Sequence, residues 1–270
     1  MAHVLIPTDL STNAFNAASY AVQLYGAEEN VFTLLHTFLV PVDPVTGSWS
    51  TDAAIAESSQ AGLEAMARQL RNAFPGGRLD LRLASLPGEL GGAVIGIAEQ
   101  EAPDLVVMGT QGATGLQEVL LGTHTADVIK RSGLPVLAVP QEASYTIPRR
   151  MVIADDGGPV DRATVKVLLD VARWSKAELT IVHVTVDDEE VGGSAFDDLL
   201  GAIPRSYHTI SNENVTEALN TMADQSDADM VVVVHRQRSL FDRLFHRSTA
   251  ARLAMHTHIP MLVLQHGHQP

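Results

Sequence analysis

The sequence predicts an α/β fold built from two tandem domains, and three observations carry that prediction. Short runs of Val, Ile and Leu alternate with stretches whose apolar residues recur at helical spacing. Landmarks of the first half return in the second at a constant offset. The chain has 270 residues, enough for two domains of ordinary size that each bury a core.

In the first half, strands are expected at His3–Pro7, Val31–Thr37, Arg78–Ser85, Leu105–Met108 and Val136–Val139. Helices are expected at Asn13–Tyr25, Ser58–Phe74, Glu89–Gln100 and Thr123–Arg131, with Ser11 or Thr12 capping the first. Near-continuous apolar strands alternating with helices predict a parallel sheet covered on both faces. Val4–Asp9 resembles Met151–Asp156, and Leu34–Thr37 resembles Ile181–Val184, both at an offset of 147. Pro103–Met108 meets Ala228–Val233, and Leu134–Leu137 meets Ile259–Leu262, at an offset of 125. The second copy therefore lacks 22 residues after its second strand. The polar stretch Gln141–Thr146 marks the boundary, giving domains at 1–142 and 147–266.

Composition excludes several classes of function. Eighteen Lys and Arg against 32 Asp and Glu give a formal charge of −14, which argues against binding nucleic acid or an anionic membrane. The absence of cysteine removes disulfides, thiolate nucleophiles and thiolate metal sites. No apolar run is long enough to span a bilayer, and the N-terminus enters a strand with no signal-like segment, so a cytoplasmic location is expected.

Parallel sheets place ligands beyond the carboxyl ends of their strands, which directs attention to Thr8-Asp9 and to Gly109 onward. From Met108 to Thr123 the chain runs from a strand to a helix start through Gly109, Gly112, Gly115 and Gly122. Glycines let a backbone approach a phosphate and adopt positive φ, and a helix N-terminus adds amide donors. No Gly-Lys-Ser/Thr follows, so this is not a Walker loop. Spacing alone leaves two readings: a phosphate cradle, or a glycine-rich turn that reverses the chain.

The segment Gly109-x2-Gly112-x9-Gly122-Thr123, with Val107-Met108 before it and Leu120-Leu121 within it, resembles the nucleotide loop of the universal stress protein family. Ile6-Pro7-Thr8-Asp9 and Leu34-Leu35-His36 resemble the ends of that family's first two strands, so the resemblance spans two tandem copies. It implies Rossmann-like domains, each an open five-stranded parallel sheet of order 3-2-1-4-5. It also implies bound ATP or another adenine nucleotide, with Mg2+ held by the phosphates. By position, Asp9, following Thr8, would hold a ribose hydroxyl, and Pro7 and Thr37 would line the adenine pocket. Met108 and Gly109 would touch the ribose. Gly109, Gly112, Gly122, Thr123 and the His124 backbone would meet phosphates. Family members often carry Val where Thr37 and His124 stand. The family dimerises through its fifth strands, so the two domains are expected to form an intramolecular pseudo-dimer, and a homodimer is a further expectation.

Other readings stand beside these. Asp9 could cap the helix that follows it. His36 and His183 read as packed core histidines, and His256, His258, His266 and His268 as an incidental surface cluster rather than a metal site. Asp187–Glu190 reads as a solvated loop. In the second copy Val234, Gln237 and Arg247 replace the three glycines, and His235, Arg236, Arg238, Arg243, His246 and Arg247 make that region basic. It is expected to be a degenerate domain with a structural or interaction role, the alternative being a site where Arg forks hold a different anion. No catalytic constellation is present in sequence, so the expected function is a nucleotide-binding sensor or regulator, with a slow ATPase or a nucleotide-free scaffold as rivals.

Overall fold

The computed structural model describes residues 1–39, 53–76, 78–110, 122–185, 194–211, 215–236 and 258–267. The first half runs β1 (His3–Pro7), α1 (Thr12–Tyr25), β2 (Val31–Phe38), α2 (Ala53–Ala73), β3 (Asp80–Pro87), α3 (Leu90–Glu101), β4 (Leu105–Gly109), α4 (Thr123–Arg131) and β5 (Val136–Val139). The second runs β6 (Arg150–Asp155), α5 (Lys166–Ser175), β7 (Glu178–Thr185), α6 (Asp197–Leu200), β8 (Arg205–Ser211), α7 (Val215–Gln225), β9 (Met230–His235) and β10 (Met261–Gln265). Strand positions follow the apolar runs closely. The largest departure is α2, which starts at Ala53 rather than Ser58: the stretch Ala53-Ala54-Ile55-Ala56-Glu57 has high helix propensity without presenting an apolar face.

The strands form one ten-stranded sheet of order β3-β2-β1-β4-β5-β10-β9-β6-β7-β8. Each half thus has the order 3-2-1-4-5 expected from the resemblance, and strand pairs within each half are parallel. The halves join through their fifth strands, antiparallel, with Leu262 opposite Leu137 and Met261 opposite Ala138. This pairing covers two apolar edges that would otherwise invite aggregation. One core layer packs α1, α2, α5 and α6 on one face of the sheet; the other packs α3, α4 and α7 on the opposite face. Both layers run unbroken across the junction.

The missing 22 residues fall between β7 and β8. Phe38 to Asp80 spans 42 positions, whereas Thr185 to Arg205 spans 20, and the four-residue α6 stands in place of the 21-residue α2. Further contacts tie the halves: Gln265 Nε2 donates to the Ile129 carbonyl at 2.7 Å, and Lys166 Nζ lies 2.5 Å from Asp104 Oδ1. No described helix is long and apolar enough to cross a membrane.

Candidate functional site

In each half the chain leaves the first strand, lays down two strands on one side, then crosses to the other. The crevice between β1 and β4 is therefore the switch point where open α/β sheets bind ligands. Thr8 extends β1 by one residue, donating its amide to the Leu35 carbonyl at 2.8 Å. Its buried hydroxyl accepts from the Leu10 amide at 2.9 Å and donates to Met66 Sδ at 3.3 Å, so the side chain anchors the loop to α2. Asp9 is exposed, and its Oδ1 accepts from the Ser11 amide at 3.0 Å. Ser11 is the N-cap of α1, with its Oγ accepting from the Ala14 amide at 3.2 Å. The capping role considered for Asp9 thus belongs to Ser11, and Asp9 stands ahead of the helix at the mouth of the crevice. Leu10 sits at φ +63°, a conformation costly for a leucine by about 1–3 kcal/mol, so the rest of the fold holds this loop in place.

On the opposite wall, the Met108 side chain is buried among the α3 and α4 contacts, leaving its backbone for the crevice. Gly109 lies under Asn13, whose Nδ2 would be 2.6 Å from an added Cβ. The Gly109 carbonyl accepts from Thr125 Oγ1 at 2.9 Å, which fixes the strand to α4. The loop is closed at its base: the Gly122 amide donates to the Thr110 carbonyl at 2.6 Å, and a Cβ on Gly122 would stand 2.8 Å from that oxygen. Neither Gly109 nor Gly122 has positive φ, so close backbone approach, rather than the dihedral freedom expected from sequence, requires glycine at both. The Thr110 hydroxyl is buried without a hydrogen-bond partner among the described residues. Gly122 is the N-cap of α4 and supplies no side-chain cap, and Thr123 and His124 are exposed on the first turn. Amides at such an end have no intrahelical partner and favour an anion. Gly112 and Gly115 lie outside the described residues.

At the end of β2, Thr37 is half-buried beside His36. His36 Nδ1 lies 2.7 Å from Ser59 Oγ, which lies 2.6 Å from Ser85 Oγ. Partial burial holds the His36 pKa below its ordinary value, while the Asp9 carboxylate pulls the other way. His36 is therefore more than a packed core histidine: it is the polar link between β2, β3 and α2.

The equivalent crevice in the second half is closed. Asp155, in the place of Thr8, is buried; it accepts from the Gly157 amide at 2.9 Å and from Ser194 Oγ at 2.7 Å. Asp156, in the place of Asp9, accepts from the Gly158 amide and is paired directly with Arg236 Nη1. Arg236 also donates from Nε to the Pro159 carbonyl at 3.0 Å and from Nη2 to the Gly158 carbonyl at 3.1 Å. The paired side chains are only 5% and 10% exposed, so the guanidinium fills the space between β6 and β9. Arg236 is thus not a surface fork for an anion, as one reading of the sequence had it. Gln237, Arg238, Arg243, His246, Arg247 and Ser248 lie outside the described residues, as do Asp187–Glu190, His256 and His268. Among the described residues no cluster of three His, Asp or Glu is placed to hold a metal, and His266 contacts Thr164 and Asp161.

The sequence profile of the universal stress protein family matches residues 1–140 and 198–265. The chain belongs to the universal stress protein family. A universal stress protein of Methanocaldococcus jannaschii is 32% identical over 141 residues, covering 50% of this chain and 80% of that protein. A universal stress protein of Mycolicibacterium smegmatis is 21% identical over 293 residues, covering 97% of this chain and 96% of that one. The crystal structure of a universal stress protein from Archaeoglobus fulgidus has the same two-part fold, with a TM-score of 0.71 at 20% identity over 98% of this chain and 97% of that chain. The second stretch matched by the family profile begins beyond β6 and β7, so it includes Arg236 but not Asp155 or Asp156.

Proposed function

We propose that the chain is a cytoplasmic stress-response regulator that binds one adenine nucleotide, ATP or a relative, in the crevice between β1 and β4. The observation that carries this reading is the asymmetry of the two crevices: Asp9, Thr123 and His124 are exposed in the first, and Arg236 fills the second. Domains at 1–142 and 147–266 would then hold distinct roles, the first binding ligand and the second bracing it. Asp9 accepts hydrogen bonds from ribose hydroxyls, and Pro7 and Thr37 border the base. The backbone of Met108 and Gly109 meets the ribose. Gly109, Gly112, Gly122, Thr123 and the His124 backbone meet phosphates, which in turn hold Mg2+, while the Gly122 amide itself stays on the Thr110 carbonyl. The residues fit such a ligand: the helix end lacks a side-chain cap, and the buried Thr110 hydroxyl at the loop base lacks a partner.

With no base assigned to activate water, hydrolysis is expected to be slow. The test is to identify the nucleotide released when purified protein is denatured, then to follow phosphate release from ATP with and without magnesium. A stoichiometric adenine nucleotide with near-background release supports the reading. Rapid, magnesium-dependent release supports an ATPase instead, and no bound nucleotide with no response to millimolar ATP supports a scaffold.

A further inference from the structure

β4 ends at Gly109, yet the next residue, Thr110, still bonds the neighbouring strand: its amide donates to the Val139 carbonyl at 3.1 Å. Side chains alternate along a strand, so Thr110 stands on the same face of the sheet as Met108, the face that α3 and α4 cover. The Thr110 carbonyl accepts from the Gly122 amide at 2.6 Å, which sets the residue at the N-terminal end of α4. Thr110 is only 8% exposed, and its hydroxyl is shielded from water with no hydrogen-bond partner among the described residues. A buried hydroxyl left in that condition is costly, and folded proteins keep few of them without a ligand, a water or a function to account for each.

The second half satisfies the same place from within. At the offset of 125, Thr110 corresponds to His235 and Pro140 to Gln265. His235 Nδ1 lies 3.0 Å from Gln265 Oε1, the two residues standing side by side in the parallel β9–β10 pair. In the first half the neighbour is Pro140, whose side chain carries no polar atom. The fold therefore leaves this hydroxyl for something else to bond, and it does so in the half whose crevice Arg236 does not fill.

We propose that the Thr110 hydroxyl is a specificity-determining group of the nucleotide site, donating to the phosphate next to the ribose and so selecting 5′-phosphorylated adenosine compounds over adenosine. The inference rests on the nucleotide reading above. That reading sets Gly109, the preceding residue, against both ribose and phosphate, and sets Gly122, which bonds the Thr110 carbonyl, against phosphate. A hydroxyl between the two meets the first phosphate rather than the last. The O–H donates and an anionic oxygen accepts, a charge-assisted bond made away from water. α4, nine residues long and without a side-chain cap, starts at the same place, where its dipole favours an anion.

The test is titration calorimetry of the full chain with ATP, AMP and adenosine, on the parent, Thr110→Val and Thr110→Ser. Valine keeps the shape of the side chain and removes the hydroxyl. The Thr110→Val chain is expected to bind ATP and AMP each about tenfold more weakly and adenosine as the parent does. Without ligand it should melt at or above the parent's temperature, because the orphaned donor is gone. Thr110→Ser keeps the donor and should keep the parent's affinity for ATP. Parental ATP affinity in Thr110→Val, a loss for ATP that AMP does not share, an equal loss for adenosine, or a serine chain as weak as the valine one would overturn the role of Thr110 and leave the nucleotide reading standing. A valine chain that melts lower or fails to fold would show that the hydroxyl serves the fold, and would overturn it too. A folded parent that binds none of the three compounds would remove the nucleotide reading and this inference with it.

Discussion

Asp9 accepts the Ser11 amide, but the first turn of α1 is capped by Ser11 itself, so the carboxylate is not needed to start the helix. Asp9→Ala is therefore expected to leave the melting temperature nearly unchanged while weakening nucleotide binding by about 1.5–3 kcal/mol, one to two decades in Kd. An unchanged Kd in a folded variant would remove Asp9 from the site. Its counterpart Asp156 behaves oppositely, because its charge is buried and matched. Arg236→Met leaves that carboxylate without its partner and is expected to destabilise the protein by about 3–5 kcal/mol in denaturant titrations. A variant as stable as the parent would mean that Asp156 is hydrated and the second crevice open. The places of Asp9, Gly109 and Gly122 in the fold were legible in the sequence because each sits at a strand or helix end, which the local pattern marks. The destination of Arg236 was not, since a long side chain that bonds residues 77 to 80 positions away is placed by the fold alone.

The strand and helix pattern was legible because buried parallel strands are continuously apolar, and the 22-residue deletion was legible as a change in repeat offset. What the deletion does to side chains was not. In the first half α2 brings Ser59 to His36; in the second α6 is too short to do so, and the buried Nδ1 of His183 has no partner among the described residues. The His36 link also makes stability depend on pH. Burial lowers its folded-state pKa, so below about pH 6.5 the unfolded chain binds the proton more readily. The contribution is complete above that pH and is lost as pH falls through the lower, folded value. His36→Gln is expected to flatten this limb of a plot of unfolding free energy against pH. An identical acid limb in the variant would show that other groups govern it.

At the scale of the whole molecule, the two core layers cross the β5–β10 seam without a break, so the halves are expected to unfold together. Leu262 is fully buried opposite Leu137, and Leu262→Ala should cost about 2–5 kcal/mol while lowering a single calorimetric transition. Two separated transitions would show that the seam adds little. One sheet, two pseudo-equivalent crevices and a single guanidinium that closes one of them lead to the central claim: one nucleotide per chain, held by the first half. Titration calorimetry with ATP tests it most directly. The expected result is a stoichiometry near one that is lost in Gly112→Val, since the proposed reading has Gly112 meeting phosphate. Two equivalent sites per chain, or tight binding that survives Gly112→Val, would contradict it.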